Sequence, residues 1–243
     1  MQAIILAAGI GQRLQHTQPK CLLEFGGRSL LARHCANLTA YGVDRLTLVL
    51  GHAAPVIADA LANCIGPPTL VHYNPLYTLG SSVSLWSARH SLASGDDVLV
   101  MDADVLYHPH ILQRLIDSPQ RSCFLLDRDF IPGDEPVKIC LDDNRIVEFR
   151  KRLDPDLRYL TIGESVGFFK FDASTALRLA CLLDAYVADG RRGQPHEEAL
   201  RDLALAPDHP IGIEDVTGVP WIEIDFPADV VRATTNLLPL IDE

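Results

Sequence analysis

Short apolar segments alternate with amphipathic segments over the first half of the chain. Compact runs rich in Val, Ile and Leu predict buried β-strands, and apolar residues at helical spacing predict α-helices that pack on them. The predicted strands are 2–7, 45–50, 69–73 and 97–101, and the predicted helices are 29–41, 55–64 and 81–92. Strands that alternate with helices favour right-handed crossovers and a mainly parallel sheet.

The pattern changes after residue 117, where short strands follow one another. Segments 137–141 and 145–149, joined by the turn Asp142-Asp143-Asn144, predict a β-hairpin. The remaining predicted elements are strands 122–126, 165–171 and 221–224, helices 173–188 and 196–205, and a last helix with Pro227 near its start. We expect a single domain, 1–243, made of two halves, 1–117 and 118–243.

Composition narrows the class of protein. Hydrophobic residues make up 48% and charged residues 22% of the 243 residues, so we expect a full core. The net charge of −11 argues against a general nucleic-acid binder, whose binding face would be basic. No apolar run approaches the roughly 20 residues that span a bilayer, and residues 1–8 lack the basic stretch of a signal peptide. Six scattered cysteines without a CxxC pair favour reduced thiols and a cytoplasmic location.

The first predicted strand ends in a loop of small residues, Leu6-Ala7-Ala8-Gly9-Ile10-Gly11. It is not a dinucleotide fingerprint, because Leu14 stands where the third glycine is needed. It is not a Walker A loop either, because Leu14-Gln15 replaces the Gly-Lys pair. What remains is a turn of small residues after a buried strand, followed by two cations.

The two cations, Arg13 and Lys20, indicate that the loop binds phosphate groups. Ala8, Gly9 and Gly11 allow the backbone to approach a ligand closely, and successive N–H groups in such a turn hold phosphate oxygens. The planar guanidinium of Arg13 suits a triphosphate, and the compact ammonium of Lys20 suits an α-phosphate. The alternative is an ordinary tight turn with two surface cations.

Two pairs of carboxylates, each at spacing i and i+2, follow predicted strands. Asp102 and Asp104 lie at the carboxyl end of strand 97–101, where α/β sheets bind ligands. Glu223 and Asp225 lie at the end of strand 221–224. A triphosphate requires Mg²⁺, which prefers carboxylate and phosphate oxygens. The alternatives are solvated aspartates at strand ends and, for Asp225, a helix cap.

Together these motifs resemble those of nucleotidyltransferases that make activated sugars and alcohols. The most similar pattern is that of bacterial phosphocholine, phosphonate and inositol-phosphate cytidylyltransferases. The resemblance implies a GT-A-like α/β fold: a three-layer sandwich with a mixed, mainly parallel central sheet and a small antiparallel hairpin on the substrate side. The segments that carry it are AAGIGQRL (7–14), PKCLL (19–23), 74–77, 84–86, 102–104, 163–168 and 223–229.

By this resemblance Arg13 and Lys20 are the catalytic residues, which hold the phosphates of CTP and stabilise the transition state. The expected Mg²⁺ ligands are Asp104 and Asp225, with Glu223 beside them. Choline-specific relatives tend to carry an asparagine pair where this chain has Ser81-Ser82. The remaining expected nucleotide contacts are Leu6, Ala8, Gly9, Gly11, Ser81, Ser82 and Asp102.

Candidate acceptor residues lie in the second half of the chain. Lys138 and Lys151 flank the predicted hairpin and suit an acceptor phosphate, although a basic run such as 150–152 is usually a solvated face. Glu164 suits an ammonium or a hydroxyl, and Gly167 belongs to the same segment. Glu197 resembles an acidic position that opens a late helix in inositol-phosphate relatives, and its alternative role is to stabilise a helix N-terminus.

We therefore expect a cytoplasmic, Mg²⁺-dependent enzyme that couples CTP to a phosphorylated or phosphonylated small alcohol and releases pyrophosphate. Its nucleotide binds to residues 1–117 and its acceptor to residues 118–243, with no nucleic-acid or membrane partner, and a homodimer is left open. A sugar-1-phosphate nucleotidyltransferase that uses UTP or dTTP shares these loops. A non-catalytic nucleotide-sensing subunit would not need both cations and both carboxylates. A GT-A glycosyltransferase would explain Asp102 and Asp104 but not PKCLL.

Overall fold

The strands and helices follow from a computed structural model that describes residues 1–14, 17–208 and 210–241. The strands are β1 (Gln2–Ala7), β2 (Glu24–Phe25), β3 (Arg28–Ser29), β4 (Arg45–Leu50), β5 (Thr69–Tyr73), β6 (Val98–Asp102), β7 (Val105–Tyr107), β8 (Cys123–Asp127), β9 (Lys138–Asp142), β10 (Arg145–Arg150), β11 (Thr161–Phe171), β12 (Gly212–Asp215) and β13 (Trp221–Glu223). The helices are α1 (Leu30–Ala40), α2 (Ala54–Leu61), α3 (Ser81–Ser87), α4 (Arg89–Leu92), α5 (His110–Asp117), α6 (Ala173–Ala188), α7 (His196–Ala204), α8 (Pro227–Arg232) and α9 (Leu238–Ile241).

A mixed sheet of nine strands, counted over the described residues, forms the centre of the molecule. Strands β1, β4, β5 and β6 pair in parallel, with β1 between β4 and β6. Strand β11 runs antiparallel to β6, β8 and β9, so only β11 and β10 oppose the common direction of the sheet. The predicted mixed, mainly parallel sheet and the predicted β9–β10 hairpin are confirmed.

Both faces of the sheet are covered by helices. Ala3 and Ile5 of β1 belong to the core beneath α1 and α5, and Ile4 belongs to the core beneath α3, α6 and α7. A strand buried on both faces needs apolar residues at successive positions, which explains the unbroken apolar run. Helices α1 and α6 begin where side chains of Ser29 and Asp172 accept backbone N–H groups of the first turn.

The largest differences from the predicted bounds concern helix 81–92 and strand 165–171. The predicted helix 81–92 is two helices, because the chain turns at Ala88, whose N–H donates to the carbonyl of Leu85 at 3.1 Å in a tightened turn. Strand β11 begins at Thr161, before the predicted residue 165, because Thr161 to Glu164 pair with β9. Glu164 therefore lies within a strand and not before one.

The small sheet β7–β13 brings the end of the chain to the carboxyl end of β6. Glu223 is the antiparallel partner of Val105, and the N–H of Ile224 donates to the carbonyl of Asp104 at 2.9 Å. Residues far apart in the sequence thus meet at the edge where α/β sheets bind ligands. A helix long and apolar enough to cross a membrane is not found in the described ranges.

Candidate active site

The small-residue loop begins beside the end of β6, since Leu6 pairs in parallel register with Asp102. Gly11 adopts the left-handed conformation, with φ of 68°, which glycine tolerates best. A Cβ at Gly11 would lie 3.2 Å from Cγ of Lys20. The glycine thus leaves room for the Lys20 side chain to pass over the loop.

The Lys20 ammonium lies between two carboxylates. Its Nζ is 2.8 Å from Oδ2 of Asp104 and 2.5 Å from Oδ1 of Asp225. Burial lowers the pKa of Lys20, but the charges of Asp104 and Asp225 outweigh burial and hold this pKa above its ordinary value. Lys20 is therefore a fixed cation at neutral pH.

Arg13 reaches the same carboxylate from the other side. Its Nη2 is 2.9 Å from Oδ2 of Asp225, and its Nη1 pairs with Glu135. The guanidinium also lies over the ring of Phe226, 5.3 Å from the centroid. The two predicted catalytic cations thus converge on Asp225.

Three carboxylates could hold a metal ion. Asp104, Glu223 and Asp225 each offer one oxygen, and these oxygens all lie within 4.8 Å of one another. Desolvation by the surrounding walls and the charges of Asp104 and Asp225 raise the pKa of Glu223 well above its ordinary value. Carboxylate oxygens are hard donors, and the negative charges of three neighbouring carboxylates repel one another. Such a cluster fits a divalent cation such as Mg²⁺. Glu223 thus lies with the two aspartates, as expected from the sequence.

A cavity of about 560 Å³ opens above the loop and the carboxylates. Except for Ser82, all the predicted nucleotide contacts line it. Ser82 is buried behind the wall, where its hydroxyl donates to the carbonyl of Pro195 at 2.9 Å. The lining residues that the sequence had suggested are Leu6, Ala8, Gly9, Gly11, Arg13, Lys20, Ser81, Asp102, Asp104, Lys151, Glu197, Glu223 and Asp225.

Some lining residues were not predicted as site residues. Tyr77 lies in the quoted segment 74–77 and packs so closely on Gly51 that a Cβ there would be 2.5 Å from Cβ of Tyr77. Ser84 lies in the quoted segment 84–86. His196 also lines the cavity, because α7 docks against α3. The first two could have been found from their motifs, whereas His196 has no local signal.

A second cavity of about 270 Å³ adjoins the first and shares Glu223 and Asp225 with it. Acidic and aromatic side chains dominate its wall, with Arg232 as its basic member. Burial and the charge of Asp127 raise the pKa of Glu164 to about 7. Other acidic and aromatic lining residues are Asp127, Asp129, Glu135, Asp229, Phe130, Trp221 and Phe226.

The predicted acceptor residues are distributed between the two cavities. Glu164 lines the second cavity, whereas Lys151 and Glu197 line the first. The Lys138 ammonium donates to the carbonyls of Gly133, Pro136 and Lys151 and so stabilises the segments that flank the β9–β10 hairpin. Lys138 lines neither cavity. Gly167 lies under Asp102. Acceptor binding by these residues stays a prediction.

Fold and site together define a nucleotidyltransferase. Residues 3–139, more than half of the chain, match the family described as the MobA-like NTP transferase domain, and the chain belongs to this family. The predicted nucleotidyltransferase class is thereby confirmed.

Two curated relatives and one solved structure give further comparisons. CMP-5'-(3-aminopropyl)phosphonate synthase of Streptomyces rubellomurinus is 29% identical over 98% of this chain and 39% of the relative. A bifunctional IPC transferase and DIPP synthase of Rubrobacter xylanophilus is 28% identical over 94% of this chain and 50% of the relative. The chain thus spans half or less of the length of these two proteins. The inositol-1-phosphate CTP transferase from T. maritima superposes with a TM-score of 0.79, at 22% identity, over 100% of this chain and 96% of that one. The expected fold of nucleotidyltransferases is thereby confirmed.

Proposed function

We propose that this protein is a cytidylyltransferase, which transfers CMP from CTP to a phosphate or phosphonate oxygen of a small acceptor. One observation carries the proposal: the Lys20, Asp104 and Asp225 cluster lies where two cavities meet, and Asp225 lines both. A transferase needs this arrangement, because both substrates must reach one reacting phosphorus. The names of the CMP-5'-(3-aminopropyl)phosphonate synthase and of the inositol-1-phosphate CTP transferase support cytidine chemistry on a phosphonate or a phosphate ester.

In this reaction an acceptor oxygen forms a bond to the α-phosphorus of CTP, and the bond from that phosphorus to the bridging oxygen breaks. Pyrophosphate leaves with the bridging oxygen. The attacking oxygen is already anionic, so no side chain has to remove a proton. Lys20 and Arg13 hold the phosphates and neutralise the charge that develops between them. Positioning of the two substrates supplies the rest.

Mg²⁺ is the metal that we assign to Asp104, Glu223 and Asp225, whose oxygens fit it by type and spacing. When bound, it neutralises the triphosphate. Lys20 and Arg13 both pair with Asp225 in the same cluster. In this proposal the phosphates of CTP replace Asp225 as the partner of the two cations, and the carboxylates are then available to hold the metal. Asp104 and Asp225 therefore also position the ammonium of Lys20 and the guanidinium of Arg13 before the nucleotide binds.

The second cavity is the acceptor site in this proposal. Its acidic wall, with Glu164 beside Asp127 in the β11–β8 register, favours an acceptor with a cationic end. The aromatic rings of Trp221 and Phe226 suit an alkylammonium. An aminophosphonate or phosphocholine-like acceptor fits this wall better than an inositol phosphate does, because the inositol ring carries no positive charge.

The other parts of the proposal follow from the same arrangement. Residues 1–117 supply most of the nucleotide cavity, and residues 118–243 supply the acceptor cavity within one domain. We also propose a cytoplasmic, Mg²⁺-dependent enzyme that acts on small molecules, as a monomer or homodimer.

Pyrophosphate release with Mg²⁺ tests the function. CTP, UTP, dTTP and ATP are crossed with 2-aminoethylphosphonate, phosphocholine, inositol 1-phosphate and glucose 1-phosphate. We expect release with CTP and a cationic acceptor, and at least about 100-fold less with Asp225→Asn. Glu214→Gln, which breaks an exposed ion pair with Arg114 outside the cavities, is the matched control. Release only with UTP or dTTP and glucose 1-phosphate would make this a sugar nucleotidyltransferase. Nucleotide binding without release in any pair would favour a nucleotide-sensing subunit.

A further inference from the structure

Helix α1 places the imidazole of His34 in the hydrophobic core. The residue is fully buried, as are Leu31, Cys35 and Leu38 of the same helix. Burial lowers the pKa of His34 to about 4, so the ring is neutral at neutral pH. Such a ring has one N–H donor and one acceptor nitrogen, and neither nitrogen makes a full hydrogen bond in the part of the chain that the structure describes. An apolar side chain would avoid this cost, so the imidazole needs a reason other than packing.

Two aromatic rings pack beside the imidazole. The centroid of the His34 ring lies 5.3 Å from that of Tyr107 and 5.9 Å from that of Phe168. Tyr107 and Phe168 meet each other edge to face at 4.9 Å. Phe168 is the antiparallel partner of Met101 in β6, and Tyr107 ends β7, which pairs with β13. The three rings thus pack behind the strands that present the carboxylates of the site.

The backbone of Ala103 is a polar group that acts on the His34 ring. Its interaction with the ring raises the pKa of His34 and so opposes the effect of burial. An acceptor stabilises a protonated imidazole, so the interacting group is the Ala103 carbonyl oxygen, which faces a ring N–H. This N–H is not aligned well enough for a full hydrogen bond. The interaction nevertheless links α1 directly to the turn at the end of β6.

Ala103 separates the two carboxylates of this turn. Its side chain belongs to the core, whereas Asp102 and Asp104 line the first cavity. Rotation of the Ala103 peptide would therefore move both carboxylates with respect to that cavity. The negative charges of Asp102, Asp104 and Glu223 repel one another and work against a fixed turn. A donor that holds the Ala103 carbonyl opposes this repulsion.

We propose that His34 is a positioning residue, whose ring N–H holds the Ala103 carbonyl and thereby keeps Asp104 in place to bind the metal. His34 itself touches neither substrate, because it is buried in the core and lines neither cavity. Preorganised ligands bind a cation more tightly, since less conformational freedom is lost on binding. The inference rests on the proposed function, in which Asp104 is a ligand of Mg²⁺ beside the phosphates of CTP.

Three substitutions of His34 separate the donor from the packing. His34→Leu removes the donor, whereas His34→Asn and His34→Gln carry an amide N–H near the positions of Nδ1 and Nε2. Each protein is measured by calorimetric binding of CTP, with Mg²⁺ and with a chelator, and by its thermal midpoint. We expect His34→Leu to weaken Mg²⁺-dependent CTP binding by about tenfold, and Asn or Gln to keep the affinity within about threefold of wild type. His34→Leu should also keep or raise the midpoint, because it removes a buried imidazole without full hydrogen bonds.

Leu38→Ala is the matched control, because Leu38 is fully buried on the same helix. This variant leaves a cavity in the core, so it should lower the thermal midpoint and leave CTP affinity unchanged. The same result for His34→Leu would make His34 a packing residue and overturn the inference. Equal weakening of CTP binding by Leu, Asn and Gln would also overturn it, because the N–H donor would then be unimportant. If His34→Leu does not fold, loss of Mg²⁺-dependent binding in both amide variants overturns it as well.

The same assay separates this inference from the proposed function. ATP, GTP and UTP are measured alongside CTP, and pyrophosphate release is followed with the acceptors named above. If another nucleotide binds with Mg²⁺ and His34→Leu weakens it, the cytidine assignment fails and the positioning role stands. If CTP is bound and turned over equally by the wild-type protein and by His34→Leu, the proposed function stands and the positioning role fails.

Discussion

Nζ of Lys20 lies 2.5 Å from Oδ1 of Asp225, a residue that the β7–β13 pairing brings to it from the far end of the chain. Asp104, which lies just after the end of β6, pairs with the same ammonium. The cation that suits a phosphate is thus held, before any nucleotide arrives, by carboxylates that suit a metal. The balance of positive and negative charge in the site depends on this pairing of Lys20 with Asp104 and Asp225.

Lys20→Ala should lower kcat/KM by about 100-fold or more, because one preorganised charge on a transferring phosphoryl group contributes on the order of 3 kcal/mol. The measurement is pyrophosphate release at saturating and limiting CTP. Arg28→Ala removes an exposed cation on β3 and should retain wild-type turnover. Near-normal turnover of a folded Lys20→Ala protein would remove Lys20 from the catalytic residues.

Metal binding has a readout that does not depend on turnover. With CTP present, Mg²⁺ should raise the thermal midpoint of the wild-type protein, because a ligand that binds only the folded state stabilises it. Asp104→Asn should lose most of this increase, since one of three oxygen donors becomes a neutral amide. Asp129→Asn changes a carboxylate of the second cavity and should keep the increase. An equal increase in both variants would contradict the metal assignment.

Gly167 supports Asp102 from below. Its φ is 80°, and a Cβ there would lie 2.5 Å from Oδ2 of Asp102. Gly167→Ala should therefore displace this carboxylate and weaken CTP binding by about tenfold, as well as destabilise the fold. Gly218→Ala is a matched control, because Gly218 has φ of 85° and open space around it. It should lose about 1 kcal/mol of stability from backbone strain alone and keep CTP affinity. Equal affinities in both variants would show that the contact with Asp102 is unimportant.

Much of the fold could be predicted from local pattern. Strands β1, β4 and β5 and helix α6 have their predicted bounds. For β1, β4 and α6 the reason is that buried strands and a long capped helix leave little freedom in where they begin and end. The loop with Arg13 and Lys20 and the carboxylates Asp104 and Asp225 also lie together as the motifs suggested.

The rest of the site depends on long-range pairing and on helix rotation. Asp127 reaches Glu164 only through the β8–β11 register, which no neighbouring residue specifies. Ser81 lines the cavity whereas Ser82 is buried, and the sequence alone does not fix how α3 is rotated about its axis. The Lys138 ammonium is bound by backbone carbonyls whose positions follow from the path of the loop before β9.

Glu135 competes with the nucleotide for cations. It pairs with Arg13 and, at 3.4 Å, with Lys151, and all three groups are largely exposed. Glu135→Gln should release Lys151 and leave Arg13 paired with Asp225 alone. It should therefore tighten CTP binding by up to about fivefold, since exposed ion pairs contribute about 0–1 kcal/mol. The gain should shrink as salt increases. Binding titrations at two ionic strengths check this, with Glu214→Gln as the control for loss of an ion-paired carboxylate outside the cavities. Weaker binding would mean that Glu135 orients Arg13 and does not compete with CTP.

Glu164 should make stability depend on pH. Its pKa is about 7 in the folded protein and 4.5 when unperturbed, because burial and Asp127 disfavour its charge. The folded state therefore holds the proton more tightly, so this residue costs nothing below about pH 4.5 and lowers stability increasingly as pH rises through 7. Glu164→Gln removes that cost. Allowing for the solvent that screens a partly exposed carboxyl, the gain above pH 8 is about 1 kcal/mol, or about 2–4 °C in the thermal midpoint.

The check on Glu164 is a series of thermal midpoints from pH 4.5 to 8.5. The difference between Glu164→Gln and the wild-type protein should be near zero at the acidic end and should grow through neutral pH. Glu24→Gln changes an exposed carboxylate on β2 and should show no such trend. A cationic acceptor, added at pH 8, should reduce the advantage of Glu164→Gln, because the ammonium would then offset the carboxylate charge. A pH-independent difference would show that the Glu164 carboxyl is solvated in the folded protein.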